Sequence, residues 1–320
     1  MKVEIIYISL CILAFLSFSW TSDCKTGKAR NAVTPTDTIN LWQDMKIHRG
    51  ASVKMYAFRP EHPVGISVIV CPGGSYFWLD KQNEGLEVGK WLQSRGITAF
   101  VLNYRTAGFT SFFWHNRRVA RGIRYPDMIT DGQRALQWVW EHSDDYGIDK
   151  DKIGMMGFSA GGHLVMSEAC FSDTDFLEAV GVKRETDLRP AFVAPIYPVV
   201  TFNGPYTHER SCRGLLGDKY KKERLLRDSL SLEKHIPVGC PPVFLVNCVD
   251  DPVVDYHNSV LLDSALTSIG VAHRYIKYET GGHGFGMSDN LGSDESRNWK
   301  YEFLDWLNNL YKEISFDYGY

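Results

Sequence analysis

The stretch KIGMMGFSAGGHL, residues 152–164, decides the fold. Ile153 to Phe158 is a short apolar run, and AGGHLVMSEAC after it has the composition of a helix. A strand that must reverse at once into a helix needs little bulk at the turn, and Gly157-Phe158-Ser159-Ala160-Gly161 places small residues around one hydroxyl. A serine there stands above the sheet edge. The helix N-terminus beside it offers free amides and a favourable dipole for developing negative charge. Gly-x-Ser-x-Gly alone is a weak signal; the strand before it and the helix after it carry the reading.

Outward from this turn, apolar runs alternate with segments of helical period, the pattern of parallel βαβ units. GISVIVCPGG (65–74) reads as a buried strand ending in a glycine turn, and NEGLEVGKWLQSRG (83–96) as a helix with Gly96 as its cap. ITAFVLNY (97–104) is the next strand. A loop from about 105 to 124 carries Phe109, Phe112, Phe113 and Trp114 with Arg117, Arg118 and Arg121. YPDMITDGQRALQWVWEHSDDYG (125–147) reads as helix and AFVAPIYPVV (191–200) as strand. Residues 201–239 break the rhythm with charged helical pieces, an insertion over the sheet. PPVFLVNCVDD (241–251), NSVLLDSALTSIG (258–270), HRYIKYE (273–279) and ESRNWKYEFLDWLNNLYKE (295–313) then complete it as strand, helix, strand and amphipathic helix. The expectation is one doubly wound, mostly parallel α/β domain over 25–320, with a small helical insertion at about 201–239.

With 320 residues, 44% hydrophobic and 23% charged, the chain is of ordinary globular composition. Its net charge of −3 offers no positive field for a polyanion, so nucleic acid is not expected as a partner. Cys11, Cys24, Cys71, Cys170, Cys212, Cys240 and Cys248 form no CxxC pair, and no His, Asp or Glu cluster has metal-ligand spacing. Catalysis without metal or cofactor is expected. The uncharged run from Ile5 to Trp20 has the layout of an export signal over residues 1–24. Three readings stay open there: a cleaved signal, a lipoprotein signal with Cys24 lipidated, or an uncleaved anchor. Any membrane contact is expected only through such an anchor, and the oligomeric state is not legible.

A serine hydroxyl needs a base, and the base an orienting carboxylate, in the chain order Ser, acid, His. His283, in ETGGHGFGM, follows the last expected strand and lies between glycines that let the loop swing over Ser159. Asp250 and Asp251 end the strand before it, from which either acid can reach an imidazole. Acyl transfer also needs oxyanion donors. VIVCPGGSYF places Gly73, Gly74 and Ser75 after an earlier strand, so the amides of Gly74, Ser75 and Ala160 are the expected oxyanion hole.

These motifs together make the chain resemble the α/β-hydrolase esterases, and within them the exported acetylxylan-esterase-like and xylan-esterase-like carbohydrate esterases. CPGGSYFWL, EGLEVGKWLQSRGITAFVLNYR, KIGMMGFSAGGHL, APIYPVV, PPVFLVNCVDDPVV and GGHGFGM carry the resemblance, over roughly residues 55 to 310. It implies Ser159 as nucleophile, His283 as base and Asp251 as the orienting acid, because Asp251-Pro252-Val253-Val254 fits the family's Asp-x-x-Val. Two departures stand out: Ser75 where a third glycine is common, and Asp255 where a proline is usual, which leaves Asp255 a further acid to locate. Tyr76, Trp78 and Trp114 are the expected sugar platform, and His163 is expected to be a packed helix residue. The implied activity is removal of a short acyl group, acetyl first, from a carbohydrate such as xylan. A serine peptidase of the same fold and a non-catalytic carbohydrate-binding module are the rival readings.

Overall fold

Two short strands with no counterpart in that reading, β1 (Asp37–Asn40) and β2 (Lys54–Phe58), begin the sheet. They pair antiparallel with each other, and β2 pairs antiparallel with β4 (Thr98–Asn103). The remaining strands run parallel: β3 (Gly65–Cys71), β5 (Ile148–Phe158), β6 (Val193–Ile196), β7 (Val243–Cys248) and β8 (His273–Tyr278). The computed structural model describes residues 33–43, 45, 52–113 and 122–312, and the fold is that of the unit Thr34–Tyr320. The readings placed on residues 1–24, Cys24 included, and on Trp114 lie outside the described residues.

Among the described residues the sheet has eight strands in the order β1-β2-β4-β3-β5-β6-β7-β8. The chain leaves β3 for β4 on one side and returns to β5 on the other, so the order reverses at the β3–β5 pair. Loops leaving neighbouring strands diverge at such a point and open a crevice at the carboxyl ends, the usual ligand position in an open α/β sheet. The register Cys71↔Gly157 brings the loop after β3 level with the turn after β5. Cys248 pairs with Tyr278 in the same way, so the loops after β7 and β8 emerge side by side.

Helices cover both faces, as buried strands of alternating contact require. Ile69, Cys71, Ile153 and Met155 belong to one core with α2 (Asp127–Glu141) and α3 (Ala160–Cys170). On the opposite face Phe158 meets Trp299 with ring centroids 5.6 Å apart, and Trp299 meets Trp91 at 6.3 Å. Trp91 lies on α1 (Glu87–Ser94) and Trp299 opens α6 (Trp299–Leu310). The fold is an α/β-hydrolase fold. Between β6 and β7 lie α4 (Glu209–Tyr220) and a short helix, Arg224–Ser229, while α5 (His257–Ile269) bridges β7 and β8.

The turn between β5 and α3 leaves no room for side chains. A Cβ on Gly161 would stand 2.0 Å from the carbonyl oxygen of Cys71, whereas one on Gly162 would meet the side chain of Pro198 at 2.8 Å. Both overlaps are with rigid atoms, but the one at Gly161 is much the deeper. Gly161→Ala is therefore expected to lower unfolding stability by about 3 kcal/mol or more and Gly162→Ala by about 1–2 kcal/mol, a ranking that urea denaturation of the two variants checks.

Candidate active site

Ser159 is the last residue before α3 and holds φ 53°, ψ −116°. A side chain in the left-handed region costs about 1–3 kcal/mol and persists only where the surroundings over-determine it. Here they do: the Ser159 amide donates to Ile196 O at 3.0 Å, and Ser159 O accepts from the amides of His163 and Val199, each at 3.2 Å. Among the described residues the other non-glycine positive φ angles are at Ser75, Tyr76 and Tyr197, all around this turn.

His283 reaches across 124 residues, its Nε2 lying 2.9 Å from Ser159 Oγ. Its Nδ1 lies 2.6 Å from Asp251 Oδ2. An ionised carboxylate only accepts, so Nδ1 carries the proton and Nε2 offers its lone pair to the serine hydroxyl. The other oxygen of Asp251 accepts from the amides of Val253 and Val254 at 2.8 and 2.9 Å, which fixes the carboxylate plane. With side chains only 12% and 2% exposed, His283 and Asp251 form an ion-dipole pair with little screening by water.

The acids left open by the sequence separate cleanly. Asp250 accepts from the amides of Gly281 and Gly282 at 3.2 and 2.8 Å, so it pins the loop that carries His283 and leaves the imidazole to Asp251. Asp255 accepts from the His257 amide at 2.9 Å and sits 2.7 Å from its Nδ1.

The loop after β3 lies against the serine, close enough that a Cβ on Gly73 would stand 2.9 Å from Ser159 Cβ. Gly74 O accepts from the amides of Phe77 and Trp78 and turns the loop. The Gly73 amide is spent on Glu84 Oε2 at 2.8 Å. Gly74 and Ser75 follow Gly73 in this loop, and Ala160, as the first residue of α3, has no partner for its amide within the helix.

Sequence reasoning misplaced one residue and missed several. Tyr76 is 1% exposed and its hydroxyl meets His163 Nδ1 at 2.8 Å, so the expected platform residue is interior, turned inward by its φ of 61°. His163 is packed as expected: Nε2 donates to Leu230 O at 3.0 Å, and burial pushes its pKa down to about 4, keeping it neutral. Trp78 stays half-buried against Phe109 and Phe112 and lines a cleft of about 670 Å³.

Arg210, from α4, donates Nε to Ser75 Oγ at 3.0 Å and lies over the Trp78 ring. Nearby His208 is pushed down to about 4 by burial, with the charges of Arg210 and His283 adding to it. Glu84, Asn83 and Tyr197 also belong to the site. Asn83 Nδ2 donates to Gly284 O at 2.9 Å, and its Oδ1 accepts from the Met287 amide at 2.9 Å. Glu84 and Asn83 read in sequence as first-turn polar residues, and Tyr197 as one side chain of a buried strand. Among the described residues no group of three or more His, Cys, Asp or Glu is placed to hold a metal ion, and no helix is long and apolar enough to cross a membrane.

The chain matches the protein family described as BD-FAE over residues 59–266. It is 29% identical over 254 residues to an acetylxylan esterase of Xylanibacter ruminicola, covering 78% of this chain and 46% of that one. It is 31% identical over 283 residues to endo-1,4-beta-xylanase B of Butyrivibrio fibrisolvens, covering 84% of this chain and 42% of that protein. The chain thus spans less than half the length of these two curated relatives. The crystal structure of an acetyl ester-xyloside bifunctional hydrolase from Caldicellulosiruptor lactoaceticus superposes with a TM-score of 0.72 at 26% identity, covering 88% of this chain and 98% of that one. A thermophilic esterase of Thermogutta terrifontis shares the fold, with a TM-score of 0.63 at 22% identity over 80% of this chain and 90% of that one.

With an imidazole nitrogen 2.9 Å from its hydroxyl, Ser159 is expected to be labelled by a fluorophosphonate probe. Ser159→Ala removes the labelling. Asp251→Asn slows it by about 10³-fold or more by misorienting the imidazole, while Asp250→Asn costs about tenfold or less. Time courses of labelling for the three variants check the ranking.

Proposed function

The chain belongs to the BD-FAE family of α/β-hydrolases, and on that premise we propose that it is a serine esterase removing short acyl groups, acetyl above all, from xylan or xylo-oligosaccharides. The reading rests on one observation: Ser159 Oγ, His283 and Asp251 form a continuous chain with links of 2.9 and 2.6 Å at the carboxyl edge of the sheet. The named activities of the acetylxylan esterase and of the acetyl ester-xyloside hydrolase support acetylated xylan as the substrate class.

In this mechanism Ser159 Oγ attacks the ester carbonyl carbon as its proton passes to His283 Nε2. The carbonyl oxygen takes the negative charge and is met by the amides of Gly74, Ser75 and Ala160. Asp251 stays ionised and stabilises the imidazolium. Collapse of the tetrahedral species breaks the bond to the sugar oxygen, which leaves with the proton from His283. Water then attacks the acyl-serine, His283 again accepts the proton, and acetate departs as Ser159 regains its hydrogen. Trp78, over whose ring Arg210 lies beside Ser75, supplies a flat apolar face for a sugar ring. Export, read from residues 5–20, completes the proposal by placing the enzyme where polysaccharide is found.

Acetate release from acetylated xylo-oligosaccharides tests the reading. It is expected to proceed in the presence of a chelator, and Ser159→Ala should lower kcat/KM by about 10³-fold or more with the fold intact. No acetate release from any acetylated xylan fragment overturns the substrate class, and turnover that survives in Ser159→Ala overturns the mechanism.

A further inference from the structure

The chain enters α1 through a π-helical turn, Gln82–Leu86. Such turns are rare and concentrate at functional sites, because the extra residue redirects a side chain that an α-helix would turn elsewhere. Glu84 lies in this turn, 4% exposed and hydrogen-bonded to the loop after β3.

Its two oxygens face two donors. Oε2 accepts from the Gly73 amide at 2.8 Å, and Oε1 accepts from the Tyr197 hydroxyl at 2.9 Å. That hydroxyl in turn accepts from the Gly286 amide at 3.0 Å, in the loop carrying His283. The Tyr197 ring packs on the imidazole with centroids 4.7 Å apart and on Phe285 at 4.6 Å. One carboxylate therefore ties the loop bearing the oxyanion donors to the loop bearing the base.

We infer that Glu84 is a positioning residue of this site, whose ionised carboxylate holds the donor loop at Gly73 and, through Tyr197, the base loop at Gly286. The inference rests on the esterase reading only for its kinetic consequences. Only the ionised form accepts from both donors at once; a proton on either oxygen puts hydrogen against hydrogen or forces Tyr197 to turn. Burial, with the charge of Asp80 added, pushes Glu84 up to about 7, opposed by His283 and the hydrogen bonds from Tyr197 and Gly73. The titratable groups around it are Asp80 on the donor loop, Tyr197 after β6, His283 on the base loop and Tyr104 after β4. As pH falls through about 7 the carboxylate that accepts from both donors becomes neutral and the tie weakens, so activity calls for an ionised Glu84 as well as an imidazole free to accept the serine proton.

Stability runs the other way. A carboxyl raised in the folded state favours folding while protonated, and that contribution is lost as pH rises from about 4.5 to about 7. An essential ionised group that costs stability marks a positioning role; a purely structural one would cost stability when removed at every pH.

The experiment compares wild type, Glu84→Gln, Glu84→Asp and Tyr197→Phe by kinetics on 4-nitrophenyl acetate from pH 5 to 9 and by hydrogen exchange. Glu84→Gln should lower kcat about 10- to 100-fold with KM within about twofold, and reduce the acid limb from two protons to one. Glu84→Asp should restore the two-proton limb and part of kcat. Exchange should quicken at Gly73 and Gly286 in Glu84→Gln, and at Gly286 alone in Tyr197→Phe. The stability of wild type relative to Glu84→Gln should fall as pH rises from about 4.5 to about 7. A Glu84→Gln enzyme with kcat within about twofold of the parent, an unchanged acid limb, or unchanged exchange at both amides overturns the inference. Should wild type hydrolyse no ester, the proposed function falls, and the exchange pattern alone decides for or against Glu84.

Discussion

Ser159 stands where backbone geometry is least tolerant, at φ 53° between a parallel strand and a helix, and the rest of the site follows from that constraint. The turn lifts the hydroxyl clear of the sheet only because Gly157 and Gly161 allow the helix to start against the carbonyl of Cys71. The same close approach sets the loop after β3 beside the hydroxyl, since β3 and β5 are neighbours at the point where strand order reverses. Asp251 and His283 come from the loops after β7 and β8, also neighbours, so the three side chains converge through strand pairing without long loops.

The supporting residues show how strain is sustained. Left-handed angles at Ser75, Tyr76, Ser159 and Tyr197 each oppose folding, and each is held by specific bonds: Arg210 on Ser75, His163 on Tyr76, Ile196 on Ser159 and Glu84 on Tyr197. Stability elsewhere in the sheet, whose strands β3, β4, β6 and β7 are buried almost throughout, offsets this local cost. A buried carboxyl at Glu84 belongs to the same economy of strain.

How much of this was legible in the sequence depends on range. Ser159, Asp251 and His283 could be read because chemistry dictates their order and each sits at a strand end marked by small or acidic residues. Asp250 and Asp251 point apart as successive strand-end residues do, and only the family pattern ranked them in advance. Tyr76 misled because an aromatic beside a glycine turn suggests an exposed platform, while its positive φ was invisible. Glu84 had no signal, since its partners Gly73 and Tyr197 lie 11 and 113 residues away and nothing local distinguishes it from a solvated helix-start acid. The strands DTIN and KMYAF escaped for the opposite reason: they are short, partly polar and antiparallel at the sheet edge, where the apolar runs of the parallel interior are not required.

The separation between Ser159 and His283 has a consequence for biosynthesis. A chain made from its N-terminus carries the nucleophile turn 124 residues before the base, and α5, β7 and β8 must all be in place before the imidazole has a frame. From β3 the strands β5, β6, β7 and β8 add in chain order along one side of the sheet, so the last strand to emerge is also the one whose loop sets the imidazole beside the serine. On the proposed reading, a partly synthesised chain would hold the serine without its base, and reactivity toward esters would appear only with the finished edge.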